Sequence, residues 1–482
     1  MPRPSPLPHP LYCVGTLVYT RRALVILCLW LLWGDFCFTL MTSIVPTIMP
    51  LKFKELQASN TVIGLFITTI PGVINMVFSP IVSFKSDRFR SRWGRRIPFI
   101  LVTLPFLVAS LFGLAFSEHI AQWLHRVFSE ALAGVSVAKV AIGVMGFMVV
   151  LFSFFNTFVN SVFWYLFNDV VPEQFLARFM SWFRLVGLGA SSLYNLLLFR
   201  HAVDHTALIF VGVALLYLVG FGLMCLKVKE GNYPPPPPYV GGETGAQAAI
   251  KTYAKECLGS SHYWMLFLAS MGVRAFYVTL VFNVFLYQSL GLSLESAGII
   301  FFAYRISSAI AIPISGWLAD RFHPIRVVIA GAVLQTVVTP LSLIWLFWQP
   351  SSQVAFHVVL AMNVLLLGPI EALVSVMDPP LFMRIFPRDR FGQFCSANGM
   401  LRSFADIAAG LMIGVFLDVI AARWNMDVAY RCLPFWNLAA YLVVLYAMAK
   451  LYRSWQAHGG DRDYVPPVPG ERHVEPGVAA IA

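Results

Sequence analysis

The chain has 482 residues, 59% hydrophobic and only 12% charged, with a net charge of +11 and a mean hydropathy of +0.74. A water-soluble chain carries about 25% charged residues, so too little polar surface is available here for a soluble enzyme, a coiled coil or a disordered chain. Seven cysteines without a C-x-x-C pair exclude a disulfide framework and a zinc site of the usual spacing.

A helix needs about 20 apolar residues to cross a bilayer. Twelve runs meet this, at 23–49, 61–84, 97–116, 137–167, 179–200, 206–226, 263–289, 295–318, 327–348, 353–378, 394–420 and 432–452. They are continuously apolar rather than alternating, which excludes a barrel. The first run is long and lacks an A-x-A-like site, so no cleavable signal peptide is expected. With the N-terminus inside, inner segments hold 23 Lys and Arg and outer loops hold 7. That bias predicts cytoplasmic termini and accounts for the net charge without a nucleic-acid partner. The expected fold is all-α, with six spans in 1–226, a linker at 227–262, six more in 263–453 and a disordered tail at 454–482. The linker contains five consecutive prolines, Pro234–Pro238, which form a semi-rigid spacer.

The halves carry a repeat. Span 2 ends P-I-V-S-F-K-S-D-R-F at Pro80–Phe89, and span 8 ends P-I-S-G-W-L-A-D-R-F at Pro313–Phe322, 233 residues later. Pro172, Phe179 and Ser181 before span 5 are matched by Pro387, Phe394 and Ser396 before span 11. A parallel repeat of this kind places a substrate site between the halves, near the midplane.

These features resemble the major facilitator superfamily. Gly316-Trp-Leu-Ala-Asp320-Arg321 is similar to its loop motif. Asp87-Arg88-Phe-Arg-Ser-Arg92-Trp-Gly94-Arg95-Arg96-Ile-Pro98 resembles the longer form found in the glycoside–pentoside–hexuronide:cation symporters, the melibiose permease group, and in related sucrose transporters. The resemblance implies a secondary transporter of sugars or glycosides working by alternating access. It makes Asp87, Arg88, Arg92, Gly94, Arg95, Arg96, Asp320 and Arg321 the gating residues. It also implies sugar-binding roles for Asp35 in span 1, for Trp164 of the Phe163-Trp164 pair and for Arg184 in span 5. A carboxylate accepts from two hydroxyls, a guanidinium donates a fork, and an indole covers the apolar ring face. Arg402 stands near a basic position of that family which lines the cavity. Where the sodium-coupled members carry three carboxylates, this chain has Asn75, Ser79 and Asn160. Asn160 is thus a neutral substrate-facing candidate, and sodium loses its charged ligands.

Ionisable groups inside a span are costly and mark function. Asp35, Arg184, Arg274, Arg305, Arg402, Glu371, Asp378 and Asp406 lie inside runs, four arginines against four acids. Arg402 and Asp406, one turn apart, either neutralise each other or leave Arg402 to the cavity. Arg274 and Arg305 are expected to pair with Glu371 or Asp378. Asp378-Pro379-Pro380 is expected to break span 10. Proton coupling with Asp35 as carrier is the leading expectation, with Asp406 and Glu371 as further coupling groups and facilitated diffusion as the alternative. An anionic substrate, uronate or lysophospholipid-like, is the second reading, and a membrane sensor the third. No cofactor is expected, and His201, Asp204 and His205 form only a weak metal spacing. The expected partners are a sugar-like solute, a proton and the bilayer, for a monomer in a bacterial inner membrane.

Overall fold

The computed structural model describes residues 12–233 and 257–467, so Pro234–Pro238 lie outside the described residues. Twelve helices are long and apolar enough to cross a membrane. Spans 1 to 6 are Arg21–Glu55, Asn60–Arg88, Ile97–Ala115, Val137–Val170, Glu173–His201 and Thr206–Lys227. Spans 7 to 12 are Ser261–Val281, Leu294–Phe322, Pro324–Leu346, Ser352–Ile385, Phe391–Arg423 and Met426–Ala457. Helix is the form that lets each strand of chain satisfy its own backbone in lipid. Side chains set the starts: Ser59, Ser136 and Ser293 cap spans 2, 4 and 8 by accepting from the amides of Val62, Lys139 and Ser296. This is the usual work of an N-cap serine.

Two departures from the expected organisation stand out. A short hairpin, β1 Tyr12–Val14 and β2 Leu17–Tyr19, precedes span 1. Its Tyr12 packs on Phe175 of span 5 at 5.1 Å. The tail is expected to be disordered from 454, yet span 12 continues to Ala457. Beyond it, Tyr464 donates to the Ile385 carbonyl at 3.0 Å, and the Pro467 carbonyl accepts from Tyr263 at 2.9 Å. The expected break in span 10 is present: Asp378 leaves helical geometry, with φ −115° and ψ 119°.

The halves meet through backbone contacts that the repeat duplicates. A methyl group on Gly64 of span 2 would stand 2.1 Å from the Gly410 carbonyl oxygen of span 11. One on Gly298 of span 8 would stand 2.3 Å from the Asn195 carbonyl oxygen of span 5. Asn195 and Gly410 are 215 residues apart, the spacing of Pro172 and Pro387, and Gly64 and Gly298 fall within one residue of the 233-residue spacing. Only glycine permits either approach. Gly414, which completes G-x-x-x-G with Gly410, faces the Asn60 carbonyl oxygen in the same way, 2.6 Å from where its Cβ would lie. Small residues at this spacing let membrane helices touch.

One turn beyond Gly414, Asp418 closes this end. Its Oδ1 accepts from the Asn60 amide and Asn60 Nδ2, both at 2.9 Å. Its Oδ2 accepts from the Thr61 amide at 2.8 Å and Thr61 Oγ1 at 2.6 Å. An acid from one half thus caps the start of a helix in the other, where the helix dipole favours negative charge. Tyr430 completes the clasp by donating to Asn60 Oδ1 at 2.8 Å. The larger cluster of buried apolar side chains runs from the first half through this closed end to Phe282, Phe285 and Leu433. The smaller one, around Tyr263, Phe394 and Trp455, belongs to the second half alone. Asp87 and Asp320, at the far ends of spans 2 and 8, share the opposite end.

Gly64→Ala should force spans 2 and 11 apart. Spin labels at Gln57 and Trp424, either side of the clasp, should then show an added population at longer distance, and Asp418→Ala should do the same. Unchanged distance distributions in both would show that these contacts do not hold the end closed.

Candidate functional site

In the first half, the site is organised by a short stretch of span 5. Asp35 stands about 21 Å into span 1 at the helical rise, with 2% of its surface exposed. Thr39, one turn on, donates to its Oδ1 at 3.3 Å, whereas Oδ2 is buried and has no hydrogen-bond partner among the described residues. Span 5 reaches Asp35 at Gly187, where an added methyl would lie 3.2 Å from Oδ2. Arg184 precedes Gly187 by about one turn; it is exposed and pairs with none of the described residues. Trp164 packs edge-on against Phe183, the neighbour of Arg184, at 4.8 Å and is 43% exposed. Three of the residues singled out in the sequence therefore converge on residues 183–187. Asn160 is exposed, and Ser79 shares a 3.0 Å hydrogen bond with Ser161.

In the second half one expected pairing changes: Arg274 binds Asp406 rather than Glu371 or Asp378. Arg402 binds Asp378 of span 10, not Asp406. Asp406 instead receives a two-pronged hydrogen bond from Arg274 of span 7, at 2.9 and 2.7 Å. Arg402 and Asp406 are neighbours along one helix, yet their side chains are claimed by different neighbouring spans. Arg305 lies 3.9 Å from Glu371, as expected, and Tyr277 donates to Glu371 Oε1 at 3.2 Å. Glu371 Oε2 is buried without a hydrogen-bond partner among the described residues.

Two cavities lie between the halves. One, about 530 Å³, is lined by Thr68, Gly72 and Asn75 of span 2 and by Arg274, Asp406 and Tyr277. The other, about 200 Å³, lies nearer the closed end, with Thr47 and Asn195 from the first half. Arg305 and Glu371 line both. Asp35, Trp164, Arg184 and Arg402 line neither of these two.

This arrangement, two six-helix halves around a polar interface, is matched in sequence and in fold. The sequence profile of the Major Facilitator Superfamily matches residues 31–410. The chain belongs to the Major Facilitator Superfamily. No curated protein matches it in sequence. Its fold is similar to that of the nucleoside transporter NupG, with a TM-score of 0.63 and 14% identity over 89% of this chain and 99% of that one. It is also similar to a bacterial homologue of the iron transporter ferroportin in an inward-facing state, with a TM-score of 0.63 and 16% identity over 89% and 99%. A D-xylose–proton symporter matches with a TM-score of 0.58 and 13% identity over 87% and 97%. At such identities the likeness is one of fold. The protein is a multi-pass membrane transporter.

At the basic-loop end of this facilitator, the gating residues expected from sequence form an asymmetric pair of sites. Asp87 is bound by Arg96, which also reaches Ser86 Oγ at 2.5 Å and Asp169 of span 4 at 3.2 Å. Arg95 grips Asp169 with two bonds, at 2.8 and 2.5 Å. Arg88 lies over Phe84 and Arg92 is exposed. The corresponding Asp320 is exposed and makes no hydrogen bond or ion pair among the described residues, and Arg321 lies over Trp317 at 5.4 Å. The two copies of the motif share sequence but not partners.

Sequence reasoning missed the residue that organises the first copy. After span 6 the chain turns back, and the Glu230 carboxylate accepts from three consecutive amides, Arg95 at 2.9 Å, Arg96 at 2.8 Å and Ile97 at 2.7 Å. These are the orphan donors at the start of span 3, a natural seat for an anion. Tyr233 donates to Glu230 at 3.0 Å and carries the Arg95 guanidinium over its ring at 4.3 Å. Burial, then the charges of Glu230 and Asp169, push the Tyr233 phenol far above its ordinary range, so it remains a donor. Gly94 makes room: its φ is +102°, and a Cβ would fall 2.4 Å from the Glu230 carboxyl carbon. Thr16 of the hairpin accepts from the Asn232 amide at 2.8 Å. The available signal was positional: Glu230 is the first acid after span 6.

Glu230→Ala should cost about 1–3 kcal/mol by leaving buried amides unpaired. Gly94→Ala should cost about 1–3 kcal/mol through strain at positive φ. Because the added methyl collides with Glu230, the double variant should lose less than the sum. Denaturant unfolding of the detergent-purified protein measures all three; strict additivity would dissociate Gly94 from the Glu230 seat.

Proposed function

We propose that this facilitator moves a sugar or glycoside by alternating access and couples it to a proton. The observation that carries this reading is Asp35. A carboxylate oxygen lies in mid-span with no donor among the described residues, packed on the part of span 5 that presents Arg184 and the Trp164 platform. An ionised carboxylate in a closed, dry setting would be costly without a partner. A proton or a solute hydroxyl relieves that cost. Water entering as the halves rock stabilises the charge again, which is the alternation a proton carrier requires.

The distribution of Lys and Arg supports placing the basic-loop end in the cytoplasm. The Asp418 clasp then closes the outer side, and the chain faces inward. Asp87, Arg95, Arg96 and Asp169 pair within the first half, so this cluster moves as a unit and presents its charge to the second half when the inner side closes. Asn75, Ser79 and Asn160 offer neutral oxygens, which favours a proton over sodium.

Counterflow of a labelled sugar panel into proteoliposomes identifies the solute. An imposed pH gradient should then drive accumulation that is indifferent to Na⁺, and Asp35→Asn should abolish accumulation while preserving exchange. Stimulation by Na⁺ at constant pH, or concentrative uptake by Asp35→Asn, would overturn the coupling scheme.

A further inference from the structure

We infer that the cavity of about 200 Å³ near the closed end is a binding site for a neutral, hydroxyl-rich ring, separate from the Asp35–Trp164–Arg184 cluster. The inference rests on the transporter reading and specifies the solute's charge. Five side-chain amides line this cavity: Asn195, Asn283, Gln335, Asn363 and Asn437. Their polarity is partly fixed by the protein. Asn363 spends its amino group on the Val359 carbonyl at 2.9 Å and Tyr287 at 3.3 Å, leaving its oxygen. Gln335 donates to Thr339 at 3.3 Å and also keeps its oxygen. Asn437 accepts from Thr279 at 2.9 Å, leaving its amino group. Asn195 and Asn283 make no side-chain hydrogen bond among the described residues, so each offers both kinds of group.

The walls therefore present separate donors and acceptors, the pattern that matches several hydroxyls, each of which both gives and takes a hydrogen bond. Charge selects against an anion. The one lining cation, Arg305, faces Glu371 at 3.9 Å, so the site is neutral as a whole, and a carboxylate or phosphate would meet Glu371 beside it. Phe276, Phe301 and Trp345 add flat apolar surface suited to a ring face. Size agrees: an apolar cavity of about 150 Å³ accepts one benzene, so this one takes a single six-membered ring with substituents. Arg305 and Glu371, which line the wider midplane cavity too, form the floor across which such a solute would pass.

Binding and transport are measured separately, so each reading can fail alone. Equilibrium dialysis of the purified protein uses D-glucose, D-galactose and D-xylose as neutral probes and D-glucuronate as the anion. At least one neutral probe should bind the parent more tightly than glucuronate does. Asn283→Leu and Asn437→Leu should each weaken it by about tenfold or more, as loss of a polar partner to a buried hydroxyl does. Asn195→Leu tests the opposite wall in case either variant fails to fold, as judged by size-exclusion profile. Parent-like affinity in the folded variants, with binding lost in Arg184→Ala, would place the sugar in the first half and overturn this inference while leaving the transport reading intact. Tighter binding of glucuronate, or no binding of any neutral probe, would overturn it as well. Absence of pH-driven uptake with binding intact would instead remove only the coupling scheme.

Discussion

Everything in this molecule depends on how closely two six-helix halves approach at one end. A helix brings its backbone to within van der Waals distance of another only where side chains are absent, and here Gly64 and Gly298 supply that absence against the carbonyls of Gly410 and Asn195. The contact occurs twice because the halves repeat. With the helices in register there, Asp418 falls on the open start of span 2 and accepts from four donors of Asn60 and Thr61. Glycine contacts are strong only at short range and are lost on small separation. That makes such an interface suited to being closed or open rather than intermediate.

Charge is handled in two ways. Three intramembrane arginines are matched within the second half, to Asp406, Glu371 and Asp378. Pairing within one half survives a rocking motion, since neither partner is left behind in lipid. The first half keeps its mid-span charges apart, with Asp35 and Arg184 not bonded to each other.

The basic-loop end shows why sequence repeats do not guarantee repeated structure. Asp87 and Asp320 occupy equivalent places, but only Asp87 is bound by an arginine, Arg96, that also meets an acid of span 4, whereas after Asp320 it is Arg326 that binds Asp461 of the segment beyond span 12. Glu230 fills the seat at the start of span 3, with its carboxylate on amides that lipid-facing helices otherwise leave to water. The last segment before the linker is thereby tied to the loop that carries the motif.

The sequence by itself determined the twelve spans, the two-half organisation, the repeated Asp-Arg-Phe and the inventory of buried charge. Those follow from hydropathy and spacing, which are properties of one segment at a time. It also pointed to Asp35, Trp164 and Arg184, which the fold gathers around residues 183–187 of span 5. Only the tertiary structure decided partners. Arg402 and Asp406 are one turn apart on span 11, yet one turns to Asp378 and the other to Arg274, because the faces they occupy meet different helices. Glu230, Asp169 and Asp418 were equally invisible, since each acts on backbone or side chains far away in the chain. Helical periodicity fixes which residues share a face; which neighbour that face meets is settled by packing.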